Sequence, residues 1–524
     1  MNVTISAHGQ EMPESQAIKW MLGAVVLSAI VRTVCFPFTS YGGAWEYVDA
    51  PTRVAMAVRW LHHPTLLTTN DCFQFGPLHI YLTGAILSIW YDPHVAPRFL
   101  SLLFGVATIV PLFLLTRTLF GPRAAIFCGL FSGFYTLQVK CSGVAMAEAP
   151  YGFFFITSLH FLFRFRRDGR TSDMLWSACM LSLAAMTRYE AWPYIPLMGL
   201  LAIRLVPHQG GCSARTVSSL RSAVIFGGVA SALPILWIVV NYLKGADPFL
   251  PWNYIPNELA RVGDSMVERH GLLVAAMFYA VYVPGVLFLS LTPITSLLAL
   301  ICIGRCLIKR GQLAYAVVLV PYVLYYSQTL FLKAASESRL FTAFGLMILP
   351  YAGAQMDALT ASLTRKAILL RTIAVLLSSA VVFIALIAIT YLPSFPFQDR
   401  LWNAAPVSPL SAEEKSVMNF LRTHLKAREK IIPDSSVFAR NMMFDLNPSV
   451  AETWWDMLKA QPVSPEGMRK YVQSSVPGVL LVDKTETMLD KLVDSSDQCI
   501  SDFLKVGVHL IFTTPRYRVY QLTP

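Results

Sequence analysis

Apolar runs long enough to cross a lipid bilayer recur through the first 392 residues of this 524-residue chain. They lie at roughly 18–36, 98–116, 122–138, 148–163, 174–188, 191–206, 222–243, 272–304, 313–332, 340–357 and 367–392. About 20 apolar residues in a helix span the hydrocarbon core. No water is present there to satisfy a backbone amide, so each run must close its own hydrogen bonds, as a helix does. The alternation of a membrane barrel is absent. Only 14% of the chain is charged and 55% is hydrophobic, whereas soluble domains carry about 25% charge. The expected fold class is an α-helical polytopic membrane protein with about eleven transmembrane helices.

One apolar run, Leu78–Trp90, is left out of that count because it has about 13 residues between Pro77 and Asp92, too few for an ordinary span. An interfacial or re-entrant helix fits it better. The charges test the choice. With the N-terminus inside, the cytoplasmic loops hold Arg117 and Arg123, then Arg164, Arg166, Arg167 and Arg170, then Arg204, Arg215 and Arg221. Arg305, Lys309 and Arg310 follow, then Arg365, Lys366 and Arg371. Every cluster falls on one side, as loop charges in membrane proteins do. Counting 78–90 as a span would put all later clusters outside. The net charge of +11 is read as this topology signal and not as a nucleic-acid surface.

Nine cysteines are scattered without metal spacing or a disulfide framework,. The Asn2-Val3-Thr4 sequon lies on the inner side, and Ile18–Phe36 reads as a retained span, because no small-residue cleavage site follows it,. The long first outer loop runs from about 37 to 97, and a third outer segment from Lys244 to Gly271. Beyond Pro393 the composition changes, giving two expected regions, 1–392 in the membrane and 393–524 outside it. Ser411-Ala412-Glu413-Glu414 is a capping box that opens a helix through about Ala427,. Ser464-Pro465-Glu466 opens another,. Val476–Val482, Val506–Thr513 and Tyr517–Leu522 read as strands,. A small C-terminal α/β domain on the outer face is expected.

Few residues can carry chemistry. Glu46 and Asp49 stand three apart in the first loop, so on a helix they share a face, and Arg53 lies four beyond Asp49,. Glu148 is a lone carboxylate at the outer end of an otherwise apolar span. Ionisable groups at membrane depth are costly and mark function. Arg188-Tyr189-Glu190 interrupts two spans on the outer side, and Glu337 and Arg339 open another. An arginine there can snorkel as an anchor or grip a phosphate with its planar fork. His62, His63, His79 and His270 lack acids at metal-ligand spacing,. No phosphate-binding G-x-x-x-x-G-K-[ST] loop is present, which argues against an ATP-driven pump,. Trp454 and Trp455, ahead of Asp456, either pack a small core or form an acceptor-binding surface.

This layout resembles the C-type glycosyltransferases, membrane enzymes that use polyprenyl-phosphate sugars. The likeness rests on WEYVDAPTRVAMAVRWL in a long outer loop, the proline-led FGPLHIYLTGAI, APRFLSLLFG, the basic turn LTRTLFGPRAA, SGVAMAEAPYGFFFITSLHFLF and ESRLFTAFGLMILP. It covers about residues 18–206 and 330–357. Within the fold the chain is similar to the protein mannosyltransferases and lipid A aminoarabinose transferases. The resemblance implies a polyprenyl-phosphate-linked sugar donor and a protein, lipid or glycan acceptor. It implies inverting transfer at the outer face, in a bacterial or archaeal plasma membrane rather than the endoplasmic reticulum. It assigns the general base to Asp49 or Glu46, a second outer acid to Glu148 and the phosphate-binding arginine to Arg339. Arg53, Arg188, Tyr189, Glu190, Glu337, Trp454 and Trp455 are the further substrate-binding candidates. The family's adjacent Asp-Glu pair is replaced here by Glu-x-x-Asp, and its Arg-Tyr by Arg339-Leu340. Mg²⁺ or Mn²⁺ is a candidate cofactor, at Asp49 and Glu148, since paired carboxylates suit such ions. Two alternatives remain. One is an oligosaccharyltransferase-like enzyme, to whose WWD motif Trp454-Trp455-Asp456 is similar. The other is a non-enzymatic transporter or flippase of lipid-linked sugars.

Overall fold

The computed structural model describes residues 13–39, 49–203, 212–309, 313–330, 338–361, 365–390, 412–425, 429–433, 465–474, 476–484 and 497–524. Each of the eleven apolar runs contains a helix or a broken pair. The first helices are α1 (Glu14–Cys35), α2 (Asp49–His62), α3 (Thr69–Cys72), α4 (Pro77–Ile89), α5 (Ala96–Ala107), α6 (Ile109–Phe120), α7 (Pro122–Ser132) and α8 (Thr136–Gly143). Then come α9 (Glu148–Asp168), α10 (Thr171–Thr187), α11 (Tyr194–Ile203), α12 (Cys212–Leu243), α13 (Leu250–His270), α14 (Leu272–Ser290) and α15 (Pro293–Lys309). α16 (Leu313–Val317), α17 (Val320–Leu330), α18 (Thr342–Thr360) and α19 (Arg365–Thr390) complete the apolar part.

Among the described residues four helical stretches are long and apolar enough to cross a membrane alone: Glu14–Phe38, Ala96–Phe120, Leu220–Leu243 and Leu272–Ser290. The other runs are shorter or interrupted. The run at 122–138 is a pair, α7 and α8, bent by 57°. The run at 272–304 breaks between α14 and α15, where Thr292 takes a φ of 68°. Leu78–Trp90 forms the 13-residue α4. The third outer segment carries a helix the sequence reading did not mark, α13.

Two compact units divide the chain. The first comprises 1–39, 74–79 and 98–404, the second 40–73, 80–97 and 405–524. In the first unit α9 packs on α10, α6 and α18, and α7 lies between α6 and α18. The α7–α18 approach is close enough that a Cβ on Gly353 would collide with the Ala124 carbonyl, so only glycine fits. Arg32 of α1 is 1% exposed in this apolar setting. A guanidinium there must satisfy its donors internally, and it does so on Ser28, Gln138 and Ser142. Those bonds fasten α8 to α1.

In the second unit α2 buries Ala50, Val54, Ala55, Met56, Ala57 and Val58. Its Trp60 ring meets Tyr81 of α4 edge-on at 5.3 Å. The same unit holds a four-stranded sheet near the C-terminus, with β1 (Lys430–Pro433), β2 (Gly478–Asp483), β3 (Gly507–Thr513) and β4 (Tyr517–Thr523) in the order β1-β2-β4-β3. β1 and β2 are parallel and the other two pairings antiparallel. The three strands expected from the apolar runs are β2, β3 and β4. With four residues, β1 was too short to show a pattern. α20 (Ala412–His424) and α21 (Pro465–Ser474) match the expected helices, and α22 (Asp497–Leu504) is additional. Ile432, Leu480, Val482, Leu504, Val508, Tyr520 and Leu522 form one core. The capping residues Ser411 and Ser464 lie outside the described residues.

Candidate active site

Glu148 is the first residue of α9. The placement suits both its charge and its neighbours. A carboxylate is favoured at a helix N-terminus, and Pro150 in the first turn lacks only an N–H that has no intrahelical partner there. The side chain is 2% exposed. Burying it is tolerable because Arg188 Nη1 donates to Oε1. Its other oxygen, Oε2, is buried without a hydrogen-bond partner.

Arg188 comes from the residue that caps α10, where the chain turns extended. Its remaining donors go to Glu190, with Nε at 3.1 and 3.2 Å from the two carboxylate oxygens and Nη2 at 2.6 Å from Oε1. This fork leaves one guanidinium between two carboxylates. The pair with Glu148 is nearly dry, with side chains 10% and 2% exposed, while Glu190 reaches solvent at 34%. Removing one partner of a buried pair costs about 3–5 kcal/mol, because the other charge stays behind.

Tyrosines and tryptophans wall this triad. Tyr189, between its two charged members, donates its hydroxyl to the Phe75 carbonyl at 3.3 Å. Its ring lies 5.2 Å from Trp252 and 5.9 Å from Trp237. Tyr151, three residues after Glu148, has its hydroxyl 3.4 Å from that of Tyr322.

Arg339 belongs to a single 3₁₀ turn, Ser338–Phe341, ahead of α18. It is 8% exposed, and its Nη1 lies 3.9 Å from the sulfur of Met146, two residues before Glu148. The turn holding Arg339 is fixed from the residue ahead of α8, Tyr135, which donates to the Thr342 carbonyl at 3.1 Å, while Thr342 Oγ1 donates to the Arg339 carbonyl at 2.7 Å.

The structure therefore brings Glu148, Arg188, Tyr189, Glu190 and Arg339 into one neighbourhood of the first unit. Lys140, 3% exposed, and Tyr151 and Tyr322 join them without having been singled out. Lys140 had one available signal, as the only charge between Arg123 and Glu148. Asp49 and Arg53 belong to the second unit, at the start and second turn of α2, half-buried and 5% exposed. Glu46, Glu337, Trp454 and Trp455 lie outside the described residues. Among the described residues no three His, Cys, Asp or Glu side chains gather as metal ligands would. A carboxylate that already faces Arg188 has less charge to offer a divalent ion.

The arrangement offers a buried acceptor oxygen, Glu148 Oε2, beside cationic donors, inside aromatic walls. It suits a ligand that carries both hydroxyls and an anionic group.

Residues 74–237 match the family model of dolichyl-phosphate-mannose-protein mannosyltransferase, a segment that includes Glu148, Arg188 and Glu190. No curated protein sequence matches the chain. The fold is similar to that of ArnT from Cupriavidus metallidurans in the apo state, with a TM-score of 0.57 at 13% identity over 96% of this chain and 98% of that one. The same protein bound to undecaprenyl phosphate gives 0.56 at 14% identity, with the same coverage. The Archaeoglobus fulgidus oligosaccharyltransferase tethered with an acceptor peptide gives 0.52 at 12% identity over 98% and 74%. These matches bear out the resemblance to the C-type glycosyltransferases. The chain is a multi-pass helical membrane protein of that fold.

Proposed function

We propose that this chain is an integral-membrane glycosyltransferase. It moves a sugar from a polyprenyl-phosphate carrier to a protein, lipid or glycan acceptor at the outer membrane face, with inversion. The observation that carries the reading is Glu148: a buried carboxylate with one oxygen held by Arg188 and the other bare, within the segment that matches a mannosyltransferase family model.

In this reading a first-loop carboxylate, Asp49 or Glu46, takes the proton of the acceptor hydroxyl while its oxygen attacks the anomeric carbon. The bond from that carbon to the phosphate oxygen breaks, and the electron pair leaves on the polyprenyl phosphate. Arg339 neutralises that departing charge. Glu148 orients a hydroxyl of donor or acceptor through Oε2, and Arg188 with Glu190 keeps it turned. This reading takes the chain to cross the membrane eleven times, with these groups and the C-terminal α/β region on the non-cytoplasmic side of a bacterial or archaeal plasma membrane; the loop arginines support it. Arg53, Tyr189, Glu337, Trp454 and Trp455 are the remaining proposed substrate contacts. The likeness to the archaeal oligosaccharyltransferase supports a second reading, transfer of a lipid-linked glycan to protein.

Purified protein incubated with a panel of radiolabelled polyprenyl-phosphate sugars should transfer or hydrolyse at least one of them. Asp49→Asn should abolish turnover while the protein stays folded. Full activity in that variant, with loss in Glu46→Gln, would move the base to Glu46. Movement of an intact lipid-linked sugar across vesicles, without any transfer, would replace the enzyme by a transporter.

A further inference from the structure

The turn that delivers Glu148 is Val144-Ala145-Met146-Ala147. None of these side chains can make an ordinary hydrogen bond to hold the turn in place. Yet its residues are buried, between 0 and 2% exposed. The grip comes from α5. Arg98 Nε donates to the Gly143 carbonyl at 2.8 Å, and Ser101 Oγ reaches the Met146 carbonyl at 3.4 Å. The two residues are three apart, so they share a face of α5, and they take the turn near both of its ends.

The same guanidinium reaches a second segment. Arg98 Nη2 donates to the carbonyls of Phe36 and Thr39, and lies 3.1 Å from Thr39 Oγ1. Its plane covers the Phe36 ring at 4.2 Å. Thr39 Oγ1 in turn lies 2.9 Å from the Gly143 carbonyl. The approach leaves no room for a side chain at Gly143, where a Cβ would run into Thr39. Arg98 is 3% exposed, and these bonds run to backbone carbonyls and a hydroxyl. A buried guanidinium bonded in this way acts as a brace on the backbone, with donors in a fixed planar fork.

We infer that Arg98 is a positioning residue. It braces the Gly143–Ala147 turn against the end of α1, and thereby sets where Glu148 and the Met146-backed Arg339 stand. The kinetic part of this inference rests on the glycosyltransferase reading, whereas the structural part does not. Lysine keeps the charge but replaces a planar fork by a compact ammonium, so Arg98→Lys separates charge from bracing.

Hydrogen exchange on the full chain in detergent tests the brace directly. In Arg98→Lys the peptide covering 140–150 should exchange about tenfold faster, while peptides from α10 and the C-terminal sheet keep their rates. Unchanged exchange at 140–150 would overturn the inference, and so would acceleration throughout the protein. The second arm is kinetic, on the donor that wild type turns over best. Arg98→Lys should lower kcat roughly 10- to 100-fold, the scale of an ångström-sized misplacement, with KM for the donor moving less than about threefold. In a Glu148→Gln background the same change should cost under about twofold, because two residues acting as one unit are not additive. Additive losses would show that Arg98 does not act through Glu148. If wild type turns over no donor, the functional reading fails, and hydrogen exchange alone decides the brace.

Discussion

α9 carries charge at both ends, and the two ends treat it in opposite ways. At its first residue stands Glu148, 2% exposed, one oxygen on Arg188 and the other bare. At its last turn stand Arg164, Arg166, Arg167 and Asp168, with Asp173 just beyond. There Arg167 Nε meets Asp168 Oδ1 at 2.7 Å, and Arg164 Nε lies 3.2 Å from Asp173 Oδ2 without hydrogen-bond alignment. The second end holds more charges and more pairs. Its Arg167–Asp168 pair is nonetheless the less informative one, since exposed pairs are worth about 0–1 kcal/mol and loop arginines report topology; Asp173, 3% exposed with Oδ2 unbonded, is the buried group at that end. A dry carboxylate with an empty oxygen is expensive to keep, and at Glu148 it sits among Arg188, Tyr189 and Glu190.

The largest effect expected from this contrast is at Arg188. Arg188→Ala strands the buried Glu148, so it should destabilise the protein by about 3–5 kcal/mol, read as thermal unfolding in detergent. Adding Glu148→Gln should restore much of that loss, because the stranded charge is then gone. If Arg188→Ala costs no more than a surface pair, the two ends do not differ as described.

Glycines sharpen the comparison at a smaller scale. Gly143 precedes Glu148, and a Cβ there meets the Thr39 side chain. Gly143→Ala should cost about 1–3 kcal/mol by overpacking and should also lower activity through the displaced turn. Gly169 ends α9 with a φ of 72°. Gly169→Ala should cost about 1–2 kcal/mol, the strain of a left-handed residue, and leave activity unchanged. Equal losses of activity at the two glycines would dissolve the distinction.

The same contrast explains what the sequence made legible. Glu148 was visible because a lone acid beside an apolar run has few structural reasons to exist. Arg188 and Glu190 were visible as a polar break between two runs, but their fork onto one another and onto Glu148 needed the fold to bring α9 and α10 side by side. Arg98 stood inside APRFLSLLFG, one of the stretches carrying the family likeness, but with no role of its own. Its partners are the carbonyls of Phe36, Thr39 and Gly143, and every residue has a carbonyl, so nothing in the residue types marks the contact. The helices were legible wherever apolar runs were long. The breaks inside them were not, because Thr292 and the α7–α8 bend answer to packing in the folded chain. In the C-terminal region the apolar strands β2, β3 and β4 could be read, whereas the four-residue β1 takes its identity from pairing with β2.

The smallest effect lies at Asp168, and it tests the comparison from its weak side. The hydrogen bond from Arg167 holds the Asp168 carboxyl below its ordinary value of 3.8. A carboxylate depressed on folding contributes stability above its unfolded value and loses it as pH falls through the lower folded value. That contribution is therefore present at neutral pH and fades below about pH 4. Solvent screens it, so Asp168→Asn should change stability at pH 7 by under about 1 kcal/mol. The change should shrink further at 1 M salt, where the screening length is about 3 Å. The Arg188 effect should survive the same salt, since a dry pair is poorly screened. Thermal unfolding of both variants at low and high salt makes the test. A salt-resistant loss at Asp168, or a salt-sensitive one at Arg188, would mean that burial does not separate the Arg188–Glu148 pair from the Arg167–Asp168 pair.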